Sequence, residues 1–146
     1  MVLGYSRMLY VEFTENERLD TLMGCHLRVI QYFSDRTQTC LYDNMKTVVS
    51  GLDAQGEVVW NERFTKFANQ HGFVLRRCRP YRARTKGKVE SGVKYVRRNF
   101  WPRVQTFTDL HDLNLSKQEH GWTRQRTCGP FFWDRWVLGN RIWLSR

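Results

Sequence analysis

The chain has 146 residues, room for one domain with a real core, and its 41% apolar and 14% aromatic content is globular and excludes disorder. No apolar run is long enough to span a membrane, and Met1-Val2-Leu3-Gly4 is no signal peptide, so the expected compartment is the cytoplasm. The net charge of +10 is concentrated: residues 63–108 hold thirteen Lys and Arg against Glu90 alone, a footprint for a polyanion. Nucleic acid fits that block better than an anionic membrane, because strand-like and turn-like pieces interrupt it where an interfacial helix would be continuous.

In chain order, Val2 to Tyr5 is a short apolar start. Met8 to Phe13 alternates, with Leu9, Val11 and Phe13 facing one way and Tyr10 and Glu12 the other, as in a half-buried strand pairing back on the first. Thr14 and Glu17 have the spacing of a capping box for a helix over 18–33. His26 falls on that helix's apolar stripe and reads as a satisfied core histidine. Thr39 to Tyr42 is a short strand ending in Asp43-Asn44. Residues 45–49 continue extended, and 50–56 form a loop. Asn61 caps a helix through Asn69, which Gly72 stops. Phe73 to Leu75 is a strand, 76–85 a polar loop, and 86–100 a helix ended by Pro102. The order of strands and helices predicts an α/β fold with a mixed sheet.

Cys25, Cys40, Cys78 and Cys128 form no C-x-x-C pair, and the four histidines form no H-x-x-x-H. A zinc site is not expected, and the cysteines read as small buried hydrophobes.

Two carboxylates carry the chemistry. On a helix, Val89, Val93, Val96 and Phe100 share one stripe, and Lys86, Glu90, Lys94, Arg97 and Trp101 share another beside it. Asp43 follows a strand's carboxyl end, where α/β sheets collect functional side chains. Each also has an ordinary explanation: Glu90 as an i,i+4 partner of Lys94, and Asp43-Asn44 as a turn. Together they suit divalent ions beside a phosphodiester, because Mg²⁺ takes oxygen ligands and keeps several waters.

The stretches LGYSRMLYVEFTE, LYDNMKTVV, WNERFTKFANQHGF and RPYRARTKGKVESGVKYVRRNFW resemble the catalytic core of IstA-type transposases of bacterial insertion sequences. These lie within the retroviral-integrase-like group with Asp-Asp-Glu sites. The resemblance covers residues 2–114 and implies a ribonuclease H-like integrase core, an α/β fold whose mixed sheet is flanked by helices. It implies three acids holding two divalent ions, Mg²⁺ or Mn²⁺, which cut the element's ends and join them to target DNA. By matching motif, Asp43 is the second acid and Glu90 the third, both catalytic and metal-binding. Lys94 and Arg97 stand where related integrases grip the DNA end. Lys86 and Lys88 are phosphate contacts, and Gly87 admits close backbone approach. Arg82, Arg84 and Arg98 complete the DNA-binding set.

The first acid belongs on a strand upstream of Leu3, so the first strand is expected to be missing and strand transfer by this chain alone is not expected. The implied partners are DNA (element ends and target), an ATPase helper and further copies assembled on DNA, with a nucleoid location. The expected domains are a partial catalytic core over 1–114 and a tail over 115–146, read as frame-shifted or poorly ordered. The alternative functions are a nucleic-acid-binding protein without chemistry and a decayed remnant of a mobile element.

Overall fold

The computed structural model describes residues 1–4, 6, 8–78, 83–100, 102, 106–119 and 136–137. The side chains of 83–89, 117–119 and 136–137 lie outside that description. In chain order the elements are β1 (Val2–Leu3), α1 (Leu19–Phe33), β2 (Thr39–Tyr42), β3 (Val49–Leu52), β4 (Val58–Trp60), α2 (Glu62–Gln70), β5 (Val74–Arg77), α3 (Ala83–Asn99), α4 (Leu110–Glu119) and β6 (Trp136–Val137).

The main sheet has the order β1-β6-β2-β5, and β3 and β4 form a separate hairpin. β2 pairs in parallel with β5 along its whole length, Thr39 with Val74 through Tyr42 with Arg77. β6 runs parallel to β2 and antiparallel to β1. The sheet is therefore mixed, as expected. Helices cover both faces, because successive residues of its strands point to opposite sides. Leu3, Cys40 and Tyr42 enter a core with residues of α1 and α2 (Val29, Phe64, Phe67 and Ala68). Val2 and Leu41 enter a second cluster with Val93 of α3.

α2 forms where its punctuation predicts. The Asn61 side chain accepts the Phe64 amide at 3.3 Å, and Gly72 past the end adopts φ +69°. A side chain there would be strained, and its Cβ would stand 2.8 Å from Arg36 Nε.

The start of α1 differs from the expected capping box. The helix begins at Leu19, and Arg18 at its N-cap makes no side-chain cap bond. Asn16 acts instead, its Oδ1 accepting from the Arg18 amide at 3.0 Å and from Thr21 Oγ1 at 2.7 Å. Thr14 stands too far upstream of the first turn to reach it. Residues 8–13 form a bridge of Val2 with Leu9 rather than a full strand. The predicted alternation still holds: Val11 and Phe13 join one cluster and Tyr10 another. Residues 45–48 turn rather than extend, and the expected loop is the β3–β4 hairpin, closed by Asp53 and Gly56 at φ +80°.

His26 is the satisfied core histidine expected, fully buried, its two ring nitrogens 2.7 Å from the Leu22 carbonyl and 2.8 Å from the Tyr42 hydroxyl. Cys40 is buried, Cys25 and Cys78 are half-buried, and Cys128 lies outside the described residues.

The expected division between residues 114 and 115 falls inside α4. Asn114 of that helix serves the 8–13 segment as a strand would. Its Oδ1 accepts the Phe13 amide and its Nδ2 donates to the Phe13 carbonyl, both at 3.0 Å. Asn114→Ala is expected to cost about 1–3 kcal/mol, because it removes two hydrogen bonds from the part-buried backbone of Phe13. Asn114→Asp should not restore the loss, since a carboxylate accepts from Phe13 but cannot donate back. Urea unfolding of the three proteins checks this.

Candidate functional site

The sheet's carboxyl end is where β2 and β5 finish together, Tyr42 beside Arg77, with the Cys78 amide donating to the Tyr42 carbonyl at 2.8 Å. Asp43 is the next residue of β2's chain. It is half-buried, and its Oδ1 accepts the Asn44 amide at 2.9 Å as the backbone turns toward Met45. The turn expected of Asp-Asn is thus present and leaves a carboxylate at the strand end. Alternation carried one residue past Tyr42 places Asp43 on the side of Leu41, the side covered by α3.

α3 begins at Ala83, three residues before the expected start, and runs to Asn99. Three members of its expected stripe are buried or half-buried: Val93 packs against the cluster of Val2 and Leu41, and Val96 and Phe100 pack with Val11, Phe13 and Leu113; the side chain of Val89 and residue Trp101 of the neighbouring stripe lie outside the described residues. Glu90, Lys94, Arg97 and Arg98 are exposed along the rest of the helix. Glu90 lies one turn before Val93, and Val93 touches the cluster of Leu41, two residues before Asp43. The fold thus sets α3, which carries Glu90, on the side of the sheet that Leu41 faces. Among the described residues the ion pairs are Arg28–Glu12, Arg63–Asp20 and Lys66–Glu62, so the Glu90–Lys94 alternative is not one of them.

Arg82 lies outside the described residues, as do the side chains of Arg84, Lys86 and Lys88; Gly87 falls within the same stretch of α3. Arg76 lies in β5 rather than in the expected loop over 76–85. It pairs in register with Leu41, so it shares the α3 side, and it is exposed. The usable signal was a strand running two residues past its apolar core.

Asp43 and Glu90 offer the oxygen donors that hard divalent ions take, and Mg²⁺ is held by one or two carboxylates with water completing its shell. The donor chemistry therefore fits. Among the described residues no group of three His, Cys, Asp or Glu side chains gathers to hold a metal ion. No helix among them is long and apolar enough to cross a membrane.

A mixed sheet covered by helices, with an acid just past an inner strand's carboxyl end, is the arrangement of a ribonuclease H-like α/β protein, and the family match below assigns it to that class. The integrase core domain family matches residues 1–83. The chain belongs to that family. It is 43% identical over 84% of its length to a protein of Geobacillus stearothermophilus whose name assigns it as a transposase of insertion sequence element IS5376. It is 38% identical over 80% of its length to the transposase of insertion sequence element IS21 from Pseudomonas aeruginosa. Identity is again 38%, over the same share, to the transposase of element IS640 from Shigella sonnei. The chain spans 30% of the first two relatives' length and 37% of the third's.

Proposed function

We propose that this chain is a segment of a DNA transposase core in which Asp43 and Glu90 hold divalent cations, Mg²⁺ or Mn²⁺, beside the DNA backbone. The observation that supports the reading is the packing of Val93 of α3 against the cluster of Val2 and Leu41, two residues before Asp43 on β2's chain. When bound, such ions activate the attacking hydroxyl and stabilise the leaving oxygen of a phosphodiester.

The chain's own side chains do the holding. Lys94, Arg97 and Arg98 take phosphates along α3, and Arg76 takes one from the edge of β5. Arg82, Arg84, Lys86 and Lys88 extend that grip toward the start of the helix, and Gly87 lets backbone approach it. Strand transfer as a whole belongs to a protein of the relatives' length. An ATPase helper, several copies on DNA and a nucleoid location are parts of the same proposal.

Titration with Mn²⁺ followed by electron paramagnetic resonance tests the reading. Asp43→Asn and Glu90→Gln should each weaken Mn²⁺ binding by about 100-fold or more, since disturbing even a ligand's neighbours costs about 10–100-fold. Neither should weaken DNA binding, because each removes a charge that repels phosphate. A wild-type chain that binds DNA but shows no Mn²⁺ site would sink the metal reading and leave a binder without chemistry.

A further inference from the structure

Among the described residues, β2 is paired along all four of its positions by β5, but on its other side only at Cys40 and Leu41, by β6. β6 pairs in turn with Val2 and Leu3. Two rows of Cα partners therefore cross three strands: Leu3, Trp136 and Cys40 in one, and Val2, Val137 and Leu41 in the other. β6 is antiparallel to β1 and parallel to β2, so β1 and β2 are antiparallel to each other. With β6 between them they stand about 9.6 Å apart; without it they could pair directly at about 4.8 Å.

α3 rides on this spacing. It packs against both β1 and β6. At Gly92 the helix comes so close that an added Cβ would lie 3.3 Å from Leu9 Cδ1 and 3.5 Å from Val2 Cγ2. The helix thus rests chiefly on β1 and β6, reaching β2 only through the cluster of Val2 and Leu41, while Asp43 follows β2 directly.

The geometry points to β6 as a spacer strand: Trp136 and Val137, at the far end of the chain from every motif, set how far α3 stands from the end of β2. If β6 leaves, β1 closes on β2 and carries α3 sideways by about one strand width of 4.8 Å. That shift exceeds twice the roughly 2.1 Å of a Mg²⁺–oxygen bond, so two carboxylates sharing an ion could not keep it. The consequence for the ion rests on the metal-binding reading; the spacing of the strands does not.

Disulfide trapping in the full chain, with Cys25, Cys78 and Cys128 replaced by alanine, tests the spacing. Bridged Cα atoms lie about 4.4–6.8 Å apart. Oxidation with diamide, which takes up the two thiol hydrogens, should join Cys40 to the thiol of Trp136→Cys within one chain. It should leave Leu3→Cys unjoined, because β6 intervenes. In Leu3→Cys with Val137→Pro, which removes a ladder amide, the Leu3→Cys bridge to Cys40 should appear and Mn²⁺ affinity should fall about tenfold or more. Joining of Leu3→Cys to Cys40 without the proline would overturn the proposal. So would failure of Trp136→Cys to react, or its reaction only between chains. If Val137→Pro does not fold, the first two variants decide alone. If the wild type binds no Mn²⁺ but the bridges form as stated, the metal reading fails and the spacer stands.

Discussion

Phe64→Ala is expected to lower the unfolding free energy by about 3–5 kcal/mol. Domains of this kind have about 5–15 kcal/mol in total. Phe64 is fully buried and projects from α2 into the larger core. Its ring meets Tyr42 edge-on at 5.4 Å, His26 at 5.5 Å, and stacks on Phe67 at 5.9 Å. Truncation removes the transfer free energy of the ring and opens a cavity that other rings line. Two of those neighbours, His26 and Tyr42, also share a hydrogen bond, so the wall cannot collapse inward without breaking it. Chemical denaturation measures the cost, with an unchanged slope showing that the change lies in stability rather than in compactness. A loss under about 1 kcal/mol would mean that the ring does not fill this core.

The same helix marks what could be read in advance. α2 was legible at both ends, because Asn61 and Gly72 act within a few residues of themselves. The stripe of α3 and the alternation through Phe13 were legible for the same reason: each is a local period. α1 was legible along its length but not at its start, where Thr14 and Glu17 have the right spacing and Asn16 does the bonding. The β3–β4 hairpin escaped because Ser50, Gly51 and Leu52 are all exposed and have no alternation to show. α4 carries a weaker signal: Asp109 accepts the Asp112 amide at 2.8 Å, and Asp112 accepts the Thr108 amide at 2.9 Å. That D-x-x-D pattern could have been used.

For the site, Asp43 was legible as an acid at a strand end and Glu90 as an acid beside a buried stripe. What sets α3 over this part of the sheet was not, since Val93 joins the cluster of Val2 and Leu41 from some fifty residues away in the chain. β6 was least legible of all. Its two described residues carry no period, and only pairing with strands at the other end of the molecule makes them a strand.

The second large effect concerns acid. His26 is fully buried among the rings of Tyr42, Phe64, Phe67 and Phe73. The Leu22 carbonyl can only accept, so Nδ1 carries the proton, and Nε2 accepts from the Tyr42 hydroxyl. Burial lowers the imidazole from its ordinary 6.5 to about 4, with the positive N-terminus and His71 adding to the effect and the Leu22 carbonyl opposing it. The unfolded chain therefore takes up this proton at a higher pH than the folded one. The stabilisation is complete above pH 6.5 and is lost as pH falls through 6.5 toward 4, amounting to about 3 kcal/mol. Within that window the slope should approach 1.4 kcal/mol per pH unit, that of a single proton. Protonating Nε2 would also turn the Tyr42 hydroxyl away from its acceptor, one residue before Asp43, so acid should loosen the strand end that holds the candidate site. His26→Phe should be less stable at pH 7.5, because Leu22 and Tyr42 lose a partner, yet its stability should be flatter between pH 6.5 and 5. Parallel pH profiles for the two proteins, or an NMR midpoint for His26 near 6.5 in the folded chain, would show that the imidazole is not held neutral by its surroundings.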